Sequence, residues 1–168
     1  MGRVIELSEA HPAPSSETRA RMRSFLKGER TWAQVEGMTF AQAQKIAQIG
    51  CELAERGRLS DACVLFEGLV AGNPRDSSAQ GALGTVYVRL GRLADAMECF
   101  DAAVQLWPDN LVALTHRGEL RLRKGDRRGV EDLARAAQLD ERGISAAGRR
   151  ARRLLQALAA RAARKPSD

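Results

Sequence analysis

Residues 49–74, "IGCELAERGRLSDACVLFEGLVAGNP", and residues 83–108, "LGTVYVRLGRLADAMECFDAAVQLWP", align without a gap. Gly50 and Gly84, Gly57 and Gly91, Ala62 and Ala96, Phe66 and Phe100, and Pro74 and Pro108 all stand 34 positions apart. One more step of 34 reaches Gly118 and Gly125, where Val130, Ala134 and Arg142 replace the Ala, Phe and Pro. The chain therefore holds two full copies of one unit and a degenerate third. A period of this length marks supersecondary units that bury their apolar faces by stacking on neighbours.

The residue types at these positions predict helical hairpins. Aromatics make up only 4% of the chain, and Ala and Arg are abundant, a composition for an all-α fold rather than for sheets. Gly57, Gly91 and Gly125 follow the runs "ELAER", "YVRL" and "LRLRK", where a left-handed cap would end the first helix (helix A) of each pair. Gly50, Gly84 and Gly118 fall inside that helix and allow a neighbouring helix close approach. Ala62 and Ala96 keep the crossing tight, Phe66 and Phe100 fill the space between units, and Asp61 and Asp95 place negative charge at the start of helix B. Pro74 and Pro108 stop helix B.

On these positions the chain resembles the tetratricopeptide repeat family over residues 43–142. The resemblance implies an α-solenoid of about three hairpins, at 43–76, 77–110 and a degenerate 111–142. Helices of this length are marginal alone, so the array needs caps. Residues 17–37 and 144–165 both read as helices and fit that role, inside an N-terminal helical region at 17–42 and a basic capping helix and tail at 143–168. Ala151, Leu154, Leu155, Leu158 and Ala162 form one apolar stripe on the latter. Residues 1–16, with Pro12 and Pro14, are expected to be a mobile leader.

The resemblance also implies a concave groove lined by helix A. Carried over position by position, the first unit supplies Gln44, Ala47, Gln48, Cys51 and Glu55, and the second Ser78, Gly81, Ala82, Thr85, Val88 and Arg89. The third supplies Val112, Thr115, His116, Glu119, Leu122 and Arg123. The Lys and Asn pattern of a carboxylate clamp for chaperone C-termini is missing from these positions. What remains is small and moderately apolar in the first two units, leaving room for an extended peptide with large apolar anchors. Each buried anchor would contribute about 1.5 to 3 kcal/mol before ordering costs.

The flanks sharpen the resemblance. "FLKGERTWAQVEGMTFAQAQKIAQIG" followed by "GRLSDACVLFEGLVAGNPRDSSAQGALG" is similar to the class II (translocator) chaperones of type III secretion systems. The residues that carry it are Phe25-Leu26-Lys27-Gly28 ahead of the repeats, Asp61-Ala62, Phe66 and Asp76-Ser77. That family implies a cytoplasmic chaperone that holds a hydrophobic secreted substrate in its groove until export, and a homodimer through the N-terminal helical region. A general tetratricopeptide adaptor is the alternative, with an acidic partner bound through the basic C-terminal helix.

Charge is concentrated at one end. Residues 1–140 carry 19 Lys and Arg against 19 Asp and Glu, whereas residues 141–168 carry 8 against 2, so the whole net charge of +6 belongs to the tail. Arg149, Arg150, Arg152, Arg153, Arg161, Arg164 and Lys165 form a dense patch, but no aromatic is interleaved with them, which favours a solvated outer face over a nucleic-acid surface. Cys51, Cys63 and Cys99 are odd in number and lack C-x-x-C spacing, which points away from disulfides and zinc and toward a reducing cytoplasm. No window approaches the roughly 18 apolar residues of a membrane span. The two histidines, His11 and His116, have no Ser or Cys placed to form a triad, and Glu119 and Glu131 have no acid–base spacing. The expectation is a non-enzymatic protein without cofactor or metal, in which Cys63 and Cys99 are core and Trp32 and Trp107 are packing anchors.

Overall fold

The 34-residue period is visible in how each helix of the computed structural model begins and ends. It describes residues 17, 20, 23, 24, 27 and 29–164. The leader 1–16 with His11, Phe25, Leu26, Gly28 and Lys165 lie outside the described residues. In chain order the elements are α1 (Trp32–Val35), α2 (Phe40–Glu55), α3 (Leu59–Gly72), α4 (Ser77–Arg89), α5 (Leu93–Leu106), α6 (Leu111–Arg123), α7 (Arg128–Leu139) and α8 (Ala146–Ala163). The pairs α2/α3, α4/α5 and α6/α7 are the three hairpins, and α3 on α4, α5 on α6 and α7 on α8 stack them in series.

The first helices of the hairpins start on side-chain caps. Thr39 and Gln42 form a reciprocal capping box ahead of α2, the Asp76 carboxylate accepts from the amides of Ser78 and Ala79, and Asn110 Oδ1 accepts from Ala113. The second helices lack such caps and instead place Asp61, Asp95 and Glu131 in the first turn, where the helix dipole favours an acid.

Gly91 takes φ 77°, and the next amide, of Arg92, reaches back to the Tyr87 carbonyl at 2.9 Å, closing α4 as a six-residue Schellman turn. Arg58 to Leu53 and Asp126 to Arg121 repeat the bond in the other two units, at 2.9 Å each. At the far ends of α3 and α5, Asn73 (ψ 86°) and Trp107 (ψ 100°) are extended because a proline follows each.

Packing explains why the third unit tolerates a degenerate sequence. A Cβ on Gly50 would lie 2.8 Å from the Phe66 ring, and one on Gly84 would lie 2.6 Å from the Phe100 ring. Ala134 stands at the corresponding Phe position, and there α6 and α7 close the gap by backbone approach. A Cβ on Gly118 would meet the Gly129 carbonyl at 2.8 Å and Leu133 at 2.9 Å. A second small core forms at this end from Leu114, Leu133, Ala136 and Ala151, with Leu154 and Leu155 against it. Between units, Arg117 and Arg121 clasp the buried Asp132 at 2.7 and 2.9 Å and both reach Asp101 on α5.

Two expectations change. The helix read over 17–37 is interrupted: residues 29 and 30 bend, and Thr31 exchanges hydrogen bonds with Gln34 (2.9 and 3.4 Å), which starts the separate turn α1. This box satisfies amides that a continuous helix would otherwise bond internally. At the other end, α4, α6 and α8 begin at Ser77, Leu111 and Ala146. Helix α8 therefore begins, within one residue, where helix A of a fourth unit would begin. Ala151, Leu154 and Leu155 of its stripe pack against the last repeat, Leu158 is half-buried, and Ala162 remains exposed.

Candidate functional site: a cleft across the first helices

Helices α2 and α4 meet through small side chains, and the space left between them is a cleft. Its larger compartment, about 510 Å³, is lined by Cys51, Glu55, Ser78, Gly81, Ala82, Thr85, Arg89 and Val112 from the expected groove set. A smaller compartment of about 310 Å³ takes Gln44, Ala47, Cys51, Ser78 and Ala82. Cys51, Phe66, Ser78 and Ala82 line both, so the two compartments adjoin along the α2/α4 seam.

Several lining residues were not expected. Phe40 at the start of α2 borders the smaller compartment and is 76% exposed. Trp107, read from the sequence as a packing anchor, is instead 54% exposed at the edge of the larger one, beside Leu111. The extended backbone imposed by Pro108 holds that indole out of the α5 core. Phe66 contributes a ring to both compartments while remaining buried, because the small residues above it leave its ring within reach of the cleft.

The polar groups of the wall are largely spent on the fold. Thr85 Oγ1 donates to the Gly81 carbonyl at 2.9 Å. The Asn110 carboxamide donates to the Ser77 carbonyl (3.0 Å) and hydroxyl (2.8 Å) while its oxygen caps α6. Asp109 is held by Arg135 at 2.8 Å. Burial, and next the Glu55 charge, push the Cys51 thiol above its ordinary range. Such a wall offers apolar surface and few free donors, which suits an aliphatic or aromatic side chain.

The other expected groove residues stand elsewhere. Gln48 is exposed on α2 and donates to Glu52 at 3.3 Å. Val88 packs into the main core. The third unit contributes little beyond Val112, because α8 packs against it. Thr115 is fully buried, its hydroxyl 2.8 Å from the Leu111 carbonyl and 3.4 Å from that of Ala147. Leu122 joins the second core, and Glu119 is clamped bidentately by Arg150 at 2.8 and 2.9 Å. The His116 ring stacks on Phe100 with centroids 5.4 Å apart. Its burial, and next the Arg150 charge, hold the imidazole below its usual range. Arg123 is exposed and lines neither compartment.

The basic tail is also reorganised. Arg149 donates to the carbonyls of Gly143 (3.0 Å) and Ile144 (2.7 Å), Arg150 is taken by Glu119, and Arg152 satisfies the carbonyls of Asp140 and Glu141. Arg153, Arg161 and Arg164 remain as exposed cations. Half of the described basic patch thus fastens α8 to the array. Cys63 and Cys99 are buried, as expected of core residues. Among the described residues, no group of three His, Cys, Asp or Glu side chains could hold a metal, and no helix is long and apolar enough to cross a membrane.

Comparison with known proteins agrees with this geometry. The tetratricopeptide repeat family profile matches residues 53–113. The human "DnaJ homolog subfamily C member 3" is 30% identical over 92 residues, which are 55% of this chain and 18% of that protein's length. Among solved structures, a type III secretion system complex from Aeromonas hydrophila superimposes with a TM-score of 0.72 at 16% identity, covering 87% of this chain and 99% of that one. The type III secretion chaperone SycD of Yersinia enterocolitica, in complex with a peptide of the translocator YopD, gives 0.63 at 17% identity, covering 74% and 98%. At these identities the likeness establishes the fold.

Proposed function

From a tetratricopeptide solenoid with an apolar cleft across its first two units, we propose a chaperone that holds an extended segment of a hydrophobic, type III secretion translocator-like polypeptide. The observation that carries this reading is the pair of adjoining compartments along α2 and α4, lined by Ala47, Cys51 and Ala82 and bordered by the exposed rings of Phe40 and Trp107. Small residues make the floor deep enough for large side chains of an incoming segment. Thr85, Asn110 and Asp109 of the wall are already bonded within the chain, so an apolar ligand leaves those groups satisfied. The likeness to SycD, whose structure contains a translocator peptide, supports the same class of client.

In this role the protein would act in the cytoplasm before export and keep the client's membrane-inserting segment from aggregating. It needs no cofactor and catalyses no reaction. The adaptor reading, with the basic tail as a contact for an acidic partner, loses support because Arg149, Arg150 and Arg152 are engaged within the chain.

A photo-crosslinking side chain at Thr85 in the cleft, against one at the exposed Val64 on α3, tests the proposal in cells of the source organism. Capture of a membrane-inserting polypeptide at position 85 and not at 64 is the expected result. Equal capture at both positions, or capture at 64 alone, would place the client elsewhere.

A further inference from the structure

The chemistry of the client can be narrowed from one side chain. Among the described residues lining the larger compartment, Arg89 is the only cation, and it projects from the last turn of α4. Its Nη1 donates to the Ala54 carbonyl at 2.5 Å, which ties the C-terminal ends of α2 and α4 together at the cleft's edge. No ion pair among the described residues takes up the rest of the guanidinium.

The charges around it set the sign of what it can accept. Glu55 and Asp109 also line the compartment, but Asp109 is neutralised by Arg135 at 2.8 Å, and Glu55 stands outside ion-pairing distance of Arg89. An arginine with one N–H anchored and the others unspent presents a planar fork of donors matched to a carboxylate. Arg123, the other cation expected near the groove, lines neither compartment and cannot substitute.

We propose that Arg89 makes the cleft selective for a carboxylate adjoining the apolar anchors of the bound segment. This rests on the peptide-cleft reading above and adds a charge to it. The carboxylate belongs either to an Asp or Glu side chain or to a chain terminus.

Two displayed random-peptide libraries, one with the C-terminus blocked and one with it free, would be panned on the full chain and on Arg89→Ala and Arg89→Glu. Wild type is expected to enrich apolar sequences with an acid at a fixed distance from the anchors. Arg89→Ala should lose that acid preference, and Arg89→Glu should exchange it for Lys or Arg. For a selected peptide, replacing the acid by its amide should weaken binding to wild type about tenfold, as loss of one charge-assisted hydrogen bond does, and leave Arg89→Ala unaffected. Enrichment from both libraries identifies a side-chain carboxylate, and from the free-end library alone a chain terminus.

An acid preference equal in wild type and Arg89→Ala would overturn the proposal while leaving the peptide cleft standing. Failure of all three proteins to select any apolar sequence would overturn both. Superimposable melting curves of the three would separate recognition by Arg89 from its tie to Ala54.

Discussion

The Phe100 ring occupies the volume that a Cβ on Gly84 would need, 2.6 Å from its ideal position. A buried ring cannot retreat from backbone, so this pair fixes how closely α4 and α5 cross. Gly84→Leu should therefore unfold the array by overpacking. Gly84→Ala should lower stability by about 1 to 3 kcal/mol in urea unfolding. Gly68, also within a helix, has nothing within 4 Å of its would-be Cβ. There Gly68→Ala should stabilise by about 0.5 to 1 kcal/mol. Equal effects at the two glycines would refute the assigned crossing.

Asp132 lies buried between Arg117 and Arg121. Removing it leaves two guanidinium groups short of their acceptor, so Asp132→Ala should cost about 3 to 5 kcal/mol. Asp61→Ala breaks the exposed pair with Arg58 and removes the first-turn acid of α3, and should change stability by only about 1 kcal/mol. Chemical denaturation of the two variants checks the contrast.

The tail arginines should separate into two kinds. Arg152→Glu removes donors from the carbonyls of Asp140 and Glu141 and should lower the melting temperature, whereas the exposed Arg153→Glu should not. Neither should change peptide affinity per folded molecule. Loss of affinity in Arg153→Glu would make α8 a contact surface.

Acid should weaken the fold through His116. Burial holds its folded value below the ordinary 6.5, so the unfolded chain binds the proton more readily. The stability it contributes is present above the unfolded value and is lost as pH falls through the depressed folded one. Asp140, its carboxyl held down first by the Ser145 hydroxyl, loses its contribution in the same direction at lower pH. Denaturant midpoints of wild type should drop more steeply than those of His116→Gln as pH falls below about 6.5. Parallel slopes would contradict the account.

Much of this architecture was legible because identical residues recur at one offset. Gly84 with Phe100, Gly91 with its following turn, and Trp107 with Pro108 each specify a crossing, a cap or a stop by local chemistry. The compensation in the third unit was hidden. Gly129 does there what a phenylalanine does elsewhere, and it lies at the register of Asp61 and Asp95, not at that of the Phe. In the cleft, Ala47, Cys51 and Ala82 follow helix periodicity and line its walls. Phe40 and Trp107 flank the helices and answer to no periodic position. Helix spacing places Thr115, Glu119 and Leu122 toward the groove and does not reveal that α8 packs against them. The pairing of Arg150 with Glu119 depends on that same packing, which a count of tail charges cannot register.

The most direct test is co-expression pull-down with wild-type protein and the Ala47→Glu/Ala82→Glu double variant, after circular dichroism shows equal helicity. The account predicts that wild type retains a hydrophobic, membrane-inserting polypeptide and the double variant loses it. Retention of the same polypeptide by both would contradict the claim that the α2/α4 cleft is where the client binds.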